Sequence, residues 1–217
     1  MSAIHQVLLA GGAANAEAIW AAYNYQVANQ TTYTFTAHGI GTAANNRYVV
    51  VLIAGGANGR TVSSVTVAGQ SCTVISTLTN GVRDAAMAIT DSPVTSGTTA
   101  DVVVTWSGGE NRCHIGTYAL TGIGSKTPTD TGTDTGTGNR STTIDISAGG
   151  SAIGLMVHSS GTSSSTTWTG LNEDVDTSGD GTITFSAASL NSSTAQTGLS
   201  VSATGSSTSL LIVASWR

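Results

Sequence analysis

The residues from Asp174 to Gly181 carry the side-chain oxygens that a calcium loop would use. Aspartate or serine stands at positions 174, 176, 178 and 180, which is the spacing of the first ligands in an EF-hand loop. Such a loop is closed by a bidentate glutamate at its twelfth position, where this chain has Phe185. The flanking residues also have the composition of strands rather than helices. We therefore predict a turn that binds no metal.

The other residues that could do chemistry are scattered along the chain. No metal-ligand spacing of the C-x₂-C or H-x₃-H kind joins the cysteines to the histidines, which are His5, His38, His114 and His158. A Gly-x-Ser-x-Gly sequence would mark a serine nucleophile, and none is present. The Gly-rich residues 54–60 lack the Gly-Lys-Ser/Thr of a phosphate loop. We predict that the protein is not an enzyme and has no catalytic residue, metal or cofactor.

Aromatic side chains beside loops are the remaining candidates, because they can stack on sugars. Trp168, in the sequence Thr-Thr-Trp-Thr-Gly, lies next to a predicted loop and is the candidate for contact with a glycan. Trp106 and Trp216 each end a strand of a predicted hairpin, which favours a structural role for both. Cys72 and Cys113 could pair only if the fold brings them together, and two free thiols in a reducing compartment are the simpler interpretation.

The composition narrows the class of protein that could position these residues. Charged residues make up 9% of the 217 residues, against roughly 25% in an average soluble domain. Ser and Thr together number 64, Gly numbers 27, and Lys126 is the single lysine. This composition excludes a coiled coil, a helix bundle and a basic nucleic-acid binder, whose surfaces need Lys, Arg and Glu. A hydrophobic content of 39% with a net charge of −5 still permits a folded core.

Short apolar runs bounded by Gly, Ser, Asn or Asp indicate strands along most of the chain. The runs 47–54 and 151–158 are almost continuously apolar, which predicts strands at the buried centre of the fold. No window reaches the roughly 18–20 apolar residues of a membrane span.

Residues 1–28 differ from this pattern. Ala13 to Tyr25 has the alanine content of a helix, so we predict an N-terminal arm with a short helix. The arm is apolar enough to dock onto another protein, and its candidate assembly residues are Val7, Leu8, Leu9, Ile19 and Trp20.

An internal repeat divides the rest of the chain, residues 29–217. The first half, about 29–126, contains TYTFTAH, RYVVVLIAGG and VVVTWSGGENRCHIGTYAL. The second half, about 140–217, contains STTIDIS, SAIGLMVHSSG and LSVSATGSSTSLLIVASW in the same order. The alignment places His114 opposite Leu210 and Leu120 opposite Trp216. The connector 127–139 has no aliphatic or aromatic residue and is predicted to be a surface loop.

Each half is small for a core of its own, since the second spans only about 78 residues. We therefore predict an all-β fold, a two-sheet antiparallel β-sandwich of jelly-roll type built from two similar halves. Two tandem immunoglobulin-like sandwiches are the alternative.

Four segments carry a resemblance to a known group of proteins, namely SVTVAGQSCTVI, TSGTTADVVVTWSG, CHIGTYALTGIGSKTPTDT and SSTSLLIVASW. They resemble a β-sandwich unit of virion proteins of tailed phages and of gene-transfer-agent-like particles, which also occurs in bacterial surface proteins. The resemblance covers most of residues 31–217. It implies a structural or adhesive role and no catalytic residue.

The resemblance leads to two expectations for function. The first is a structural component of a tailed-phage virion, a capsid decoration, head-fibre or tail-associated protein that assembles with itself and other virion proteins. Residues 1–10 lack the basic and long apolar segments of a signal peptide, so we expect synthesis in the host cytoplasm. The alternative is a module that binds host surface glycans through Trp168 or the connector. Neither nucleic acid nor a membrane is an expected partner.

Overall fold

The computed structural model describes residues 14–56, 59–159 and 165–217. These residues form fourteen strands and no helix, so the predicted all-β class is confirmed. The strands are β1 (Glu17–Gly39), β2 (Tyr48–Gly55), β3 (Val62–Val67), β4 (Gln70–Thr79), β5 (Asp84–Thr90), β6 (Thr99–Thr121), β7 (Asp130–Thr137), β8 (Arg140–Ile146), β9 (Gly150–Ser159), β10 (Trp168–Thr169), β11 (Asn172–Thr177), β12 (Ile183–Ser192), β13 (Gln196–Ala203) and β14 (Thr208–Trp216). No helix long and apolar enough to cross a membrane occurs within them.

The first half of the chain folds as one six-stranded sheet that closes on itself. Its strand order is β1-β6-β2-β5-β4-β3, and the long strand β6 also pairs with β3. Strands β2 to β6 therefore form a closed five-stranded barrel, and β1 is added along the outside of β6. The second half forms two sheets with the orders β11-β12-β9-β14-β7 and β10-β13-β8.

Several strand pairings repeat between the halves, although the predicted hairpin that contains Trp106 is the single strand β6. Strand β2 lies between β5 and β6, and β9 lies in the same way between β12 and β14. Leu120 pairs with Tyr48 as Trp216 pairs with Ser151. His114 likewise pairs with Ala54 as Leu210 pairs with Val157. Strands β7 and β8 together take the place of β1, while β13 and β14 together take the place of β6.

Three apolar clusters form the core. One lies inside the first half and includes Val51 and Trp106, and another lies within the second half around Met156. The third joins the halves, because Leu52 of β2 and the equivalent Leu155 of β9 both belong to it. Both predicted central runs are buried, and their alternate side chains serve different clusters. The two halves therefore pack through equivalent faces, as in an isologous contact between two subunits.

Several expectations need correction. Residues 17–25 of the Ala-rich segment predicted to be helical belong to β1, because tertiary pairing with β6 overrides the helix propensity of alanine. The same strand runs through residue 28, where we placed the end of the arm. The connector 127–139 is not a loop throughout, since β7 occupies most of it. Three sheets with a closed barrel replace the expected two-sheet sandwich.

Candidate functional site

A group of polar side chains lies where β1 and β6 of the first half meet the second half. The Tyr23 hydroxyl is 2.8 Å from His114 Nδ1, and His114 Nε2 is 3.3 Å from Asp180 Oδ2. Tyr25 stacks on the His114 ring at a centroid distance of 5.3 Å. Asp180 belongs to the turn between β11 and β12, so this group links the two halves of the chain.

The Asp180 carboxylate accepts hydrogen bonds at both of its oxygens. Arg112 Nη1 donates to Oδ2, while the backbone N–H groups of Thr182 and Ile183 donate to Oδ1 at 2.8 and 3.0 Å. Burial opposes ionisation, but the nearby His114 ring and the hydrogen bonds from these two N–H groups hold the pKa of Asp180 below its usual range. The ionised carboxylate is therefore a structural link between the halves.

A second polar group lies at the end of the barrel, where two carboxyl side chains meet in the interior. Asp84 and Glu110 are both fully buried. Glu110 Oε1 accepts hydrogen bonds from the N–H groups of Gly56 and Asn111, each at 2.9 Å. No described residue donates to Glu110 Oε2 or Asp84 Oδ1. The backbone N–H of Arg60 donates to the other Asp84 oxygen, Oδ2, at 2.9 Å, so each carboxyl group is held through one oxygen.

Burial raises the pKa of Glu110 to about 7, Asp84 raises it further, and the N–H groups of Asn111 and Gly56 oppose the rise. Two neighbouring carboxyl groups can act as a general acid and a general base, but Asp84 and Glu110 are both enclosed. Burial also raises the pKa of the Tyr23 hydroxyl, so this phenol is a poor nucleophile. The buried carboxyl groups and Tyr23 can stabilise the fold by linking its parts.

The outer side of β1 is the most exposed apolar feature of the described chain. Ile19, Tyr25 and Val27 are 50%, 37% and 59% exposed. The strand is 23 residues long and pairs with β6 on one side. On the other side the Asn191 side chain bonds the N–H and C=O of Ala18, and no strand of the described residues pairs there.

Two of the candidate assembly residues lie in the described part of the chain, and they differ in exposure. Ile19 is exposed on β1, whereas Trp20 is half-buried and meets the Tyr118 ring edge to face at 5.1 Å. Val7, Leu8 and Leu9 lie outside the described residues.

Trp168 is not placed where we expected. Its side chain is only 9% exposed, packs in the cluster of the second half, and donates from Nε1 to Ser186 Oγ at 2.8 Å. The solvent-facing position predicted for this ring is corrected, because the ring fills the space above Gly154. It offers no free face on which a sugar could stack.

The acidic side chains of residues 174–181 have protein partners. Asp174 accepts a hydrogen bond from the Tyr118 hydroxyl at 2.7 Å, and Asp176 accepts one from the Thr166 N–H at 2.8 Å. Across the described residues, no three His, Cys, Asp or Glu side chains are grouped as a metal site. Absence of calcium from this turn stays a prediction. Cys72 and Cys113 are both free thiols.

The polar link of Arg112, His114 and Asp180 was missed from the sequence. A signal was available, because charged residues inside an apolar strand are conspicuous in a chain with so few of them. The partner Asp180 could not be identified, since it is 66 residues from His114 and lies in a turn where aspartate needs no special explanation.

Comparison of the chain with protein-family models, with curated proteins and with solved structures gives no match.

Proposed function

We propose that this protein is a structural component of a tailed-phage virion, a capsid decoration, head-fibre or tail-associated protein made in the host cytoplasm. It acts by assembling with copies of itself and with other virion proteins. The proposal joins the sequence resemblance given above with the surface of the fold. The buried polar groups link parts of the fold, which suits a structural protein.

The exposed edge of β1 is the observation that carries this proposal. An unpaired strand edge offers N–H and C=O groups to another chain. Proteins usually protect such edges with proline or with charged residues, especially lysine. Strand β1 has no charged residue between Glu17 and His38 and no proline. Its exposed apolar side chains would add contact area to a strand pairing. The edge is suited to protein–protein assembly.

The equivalent edge in the second half shows the contrast. Strand β7 occupies the position of the first part of β1, but its sequence is Asp-Thr-Gly-Thr-Asp-Thr-Gly-Thr. Asp130 and Asp134 place charge on this edge, and their carboxylates accept hydrogen bonds from the N–H groups of Asp145 and Ser141. The β7 edge carries two carboxylates, whereas the β1 edge carries no charged residue between Glu17 and His38, which supports β1 as the assembly surface.

The test compares matched lysine substitutions on the two edges. We expect Val27→Lys in β1 to abolish self-association and co-sedimentation with phage particles, because a lysine on a strand edge opposes pairing. Thr137→Lys at the equivalent position of β7 should assemble like the wild type. Circular dichroism establishes that both variants are folded. Normal assembly of Val27→Lys, or absence of the protein from purified particles, would contradict the proposal.

A further inference from the structure

The contact between the halves has two ends that are equivalent by the internal repeat but are filled differently. At one end, β1 of the first half packs beside β11 and β12. At the other end, β7 of the second half packs beside β4. If the halves were identical, the two ends would be the same.

Large rings fill the first end. Trp20 and Tyr118 meet edge to face, and the Tyr118 hydroxyl bonds Asp174. The strand pairings give the equivalent of each residue at the other end. Trp20 pairs with Tyr118 in β1 and β6, while Thr131 pairs with Ala214 in β7 and β14. Two aromatic rings are therefore replaced by a hydroxyl side chain and a methyl group.

The loss of the rings leaves a groove of about 460 Å³. Its walls come from both halves and include Thr73, Ile75, Lys126, Pro128, Thr129 and Thr131. Ile75 stands at the bulge of β4, where the equivalent bulge of β11 has Asp174. Asp174 binds the Tyr118 hydroxyl at the first end, whereas its equivalent at the groove, Ile75, is apolar. Such a volume is in the range of small-molecule sites.

We infer that the groove between β4 and residues 126–131 binds a neutral saccharide. The Thr127 and Thr131 hydroxyls on one wall can donate to and accept from sugar hydroxyls. The hydroxyls of Thr73 and Thr129 already donate to Asp91 and to the Ser215 carbonyl. Ile75 and Pro128 supply apolar surface for the C–H groups of a sugar ring. The inference is independent of the virion role proposed above, because a sugar site could serve a protein in any setting.

The charges at the groove favour a neutral ligand over an anion. Lys126 is its one cation, and the ammonium group already donates to Thr73 Oγ1 at 2.9 Å and pairs with Asp91. Asp130 adds a second carboxylate to the walls. A phosphate or sulfate would meet more negative than positive charge, whereas adjacent sugar hydroxyls can bond an ammonium group and a carboxylate together.

The test is a titration followed by ¹⁵N–¹H NMR on the full chain. The probes are glucose, galactose, rhamnose and N-acetylglucosamine, each used as the free sugar, and inorganic phosphate as the anion. We expect at least one sugar to shift the amide signals of Thr129 and Thr131, with a dissociation constant of about 1 mM. If no sugar shifts these signals, or if phosphate alone does, the inference is wrong.

A substitution that copies the filled end provides the second arm. Thr131→Trp places at β7 the ring that β1 has at Trp20 and should weaken sugar binding by roughly tenfold or more. Thr137→Trp adds the same ring further along β7 and should leave binding unchanged. Lys126→Met removes the charged donor without altering the strands, so it tests the site even if Thr131→Trp does not fold. Unchanged binding in both Thr131→Trp and Lys126→Met would overturn the inference.

Discussion

Buried ionisable side chains set much of the behaviour of this protein at the residue scale. The chain has only 19 charged residues, yet Arg47, Asp84 and Glu110 are fully buried. Arg47 satisfies its guanidinium with four backbone carbonyl groups, three of them between residues 94 and 97. Glu110 instead has a raised pKa, because it is buried beside Asp84. A group of this kind makes stability depend on pH, since its protonation differs between the folded and unfolded chain.

Glu110 should lower stability as the pH rises from about 4.5 to about 7. Its pKa is about 7 in the folded protein against 4.5 for an ordinary glutamate, so the folded state binds the extra proton in this window and loses it above. We expect Glu110→Gln, which keeps a neutral side chain at every pH, to gain on the order of 3 kcal/mol over the wild type between pH 4 and pH 8.

The measurement is the difference in free energy of unfolding between the two proteins at each pH. The wild-type curve alone is not diagnostic, because burial lowers the pKa of His38 to about 4 and also lowers that of His158. These histidines make stability rise with pH in part of the same window, and their effect cancels in the difference. A difference that does not vary with pH would show that Glu110 ionises normally.

A charge placed in the shared core should be far more damaging than a change on the exposed face of β7. Val50 is fully buried between the halves. We expect Val50→Asp to prevent folding, because an unpaired charge in an apolar interior costs several kcal/mol against a total stability of roughly 5–15 kcal/mol. Thr133→Ala should stay within about 0.5 kcal/mol of the wild type. Chemical denaturation compares the two, and a more damaging Thr133→Ala would contradict the assignment of the core.

At the scale of elements, the sequence predicts the strands that are apolar and fails where tertiary contacts decide. The runs 47–54 and 151–158 can be recognised as buried strands because they are almost continuously apolar and bounded by turn residues. The Ala-rich start of β1 favours a helix by its composition, and the Thr-Gly repeat of β7 favours a loop. Each becomes a strand by pairing, β1 with β6 and β7 with β14. Neither partner could be identified without first placing the two halves.

For the candidate sites too, the sequence predicts some features and tertiary contacts decide the others. The internal repeat could be read from the chain, and it predicts which residues are equivalent across the halves. It does not predict that Trp168 lies inward over Gly154, because the side of a two-residue strand is set by its neighbours. The groove beside Thr131 was equally hidden, since it arises from side chains that are absent at one end of the contact and present at the other.

Strand β7 depends on glycine where β8 lies against it. A Cβ atom on Gly132 would come within 2.7 Å of the Thr143 carbonyl oxygen. We therefore expect Gly132→Ala to lower the free energy of unfolding by about 1–3 kcal/mol, measured by urea denaturation. Thr133→Ala, one residue along the exposed face, is the control. Equal stability of the two variants would show that residues 130–137 are a loop, as the composition alone suggests.

At the scale of the whole molecule, the shared cluster should make the two halves unfold together. Leu52 and Leu155 are equivalent and fully buried in that cluster. We expect Leu52→Ala and Leu155→Ala each to cost about 2–5 kcal/mol and to shift a single transition. The measurement uses variants that keep only Trp106 or only Trp168, which lie in the separate clusters of the first and second halves. Two transitions with different midpoints would mean that the halves are independent units.

The isologous contact between the halves also bears on how such a protein can diversify. Two separate copies of one half, joined by the same face, would carry every substitution twice, so a residue that fills one end of the contact would fill the other as well. Joining the copies in one chain removes this constraint. Trp20 can then close one end and add to stability, while Thr131 leaves the other end open. An internal repeat within a single chain thus allows one end of the contact to contribute cohesion while the equivalent end stays accessible to solvent.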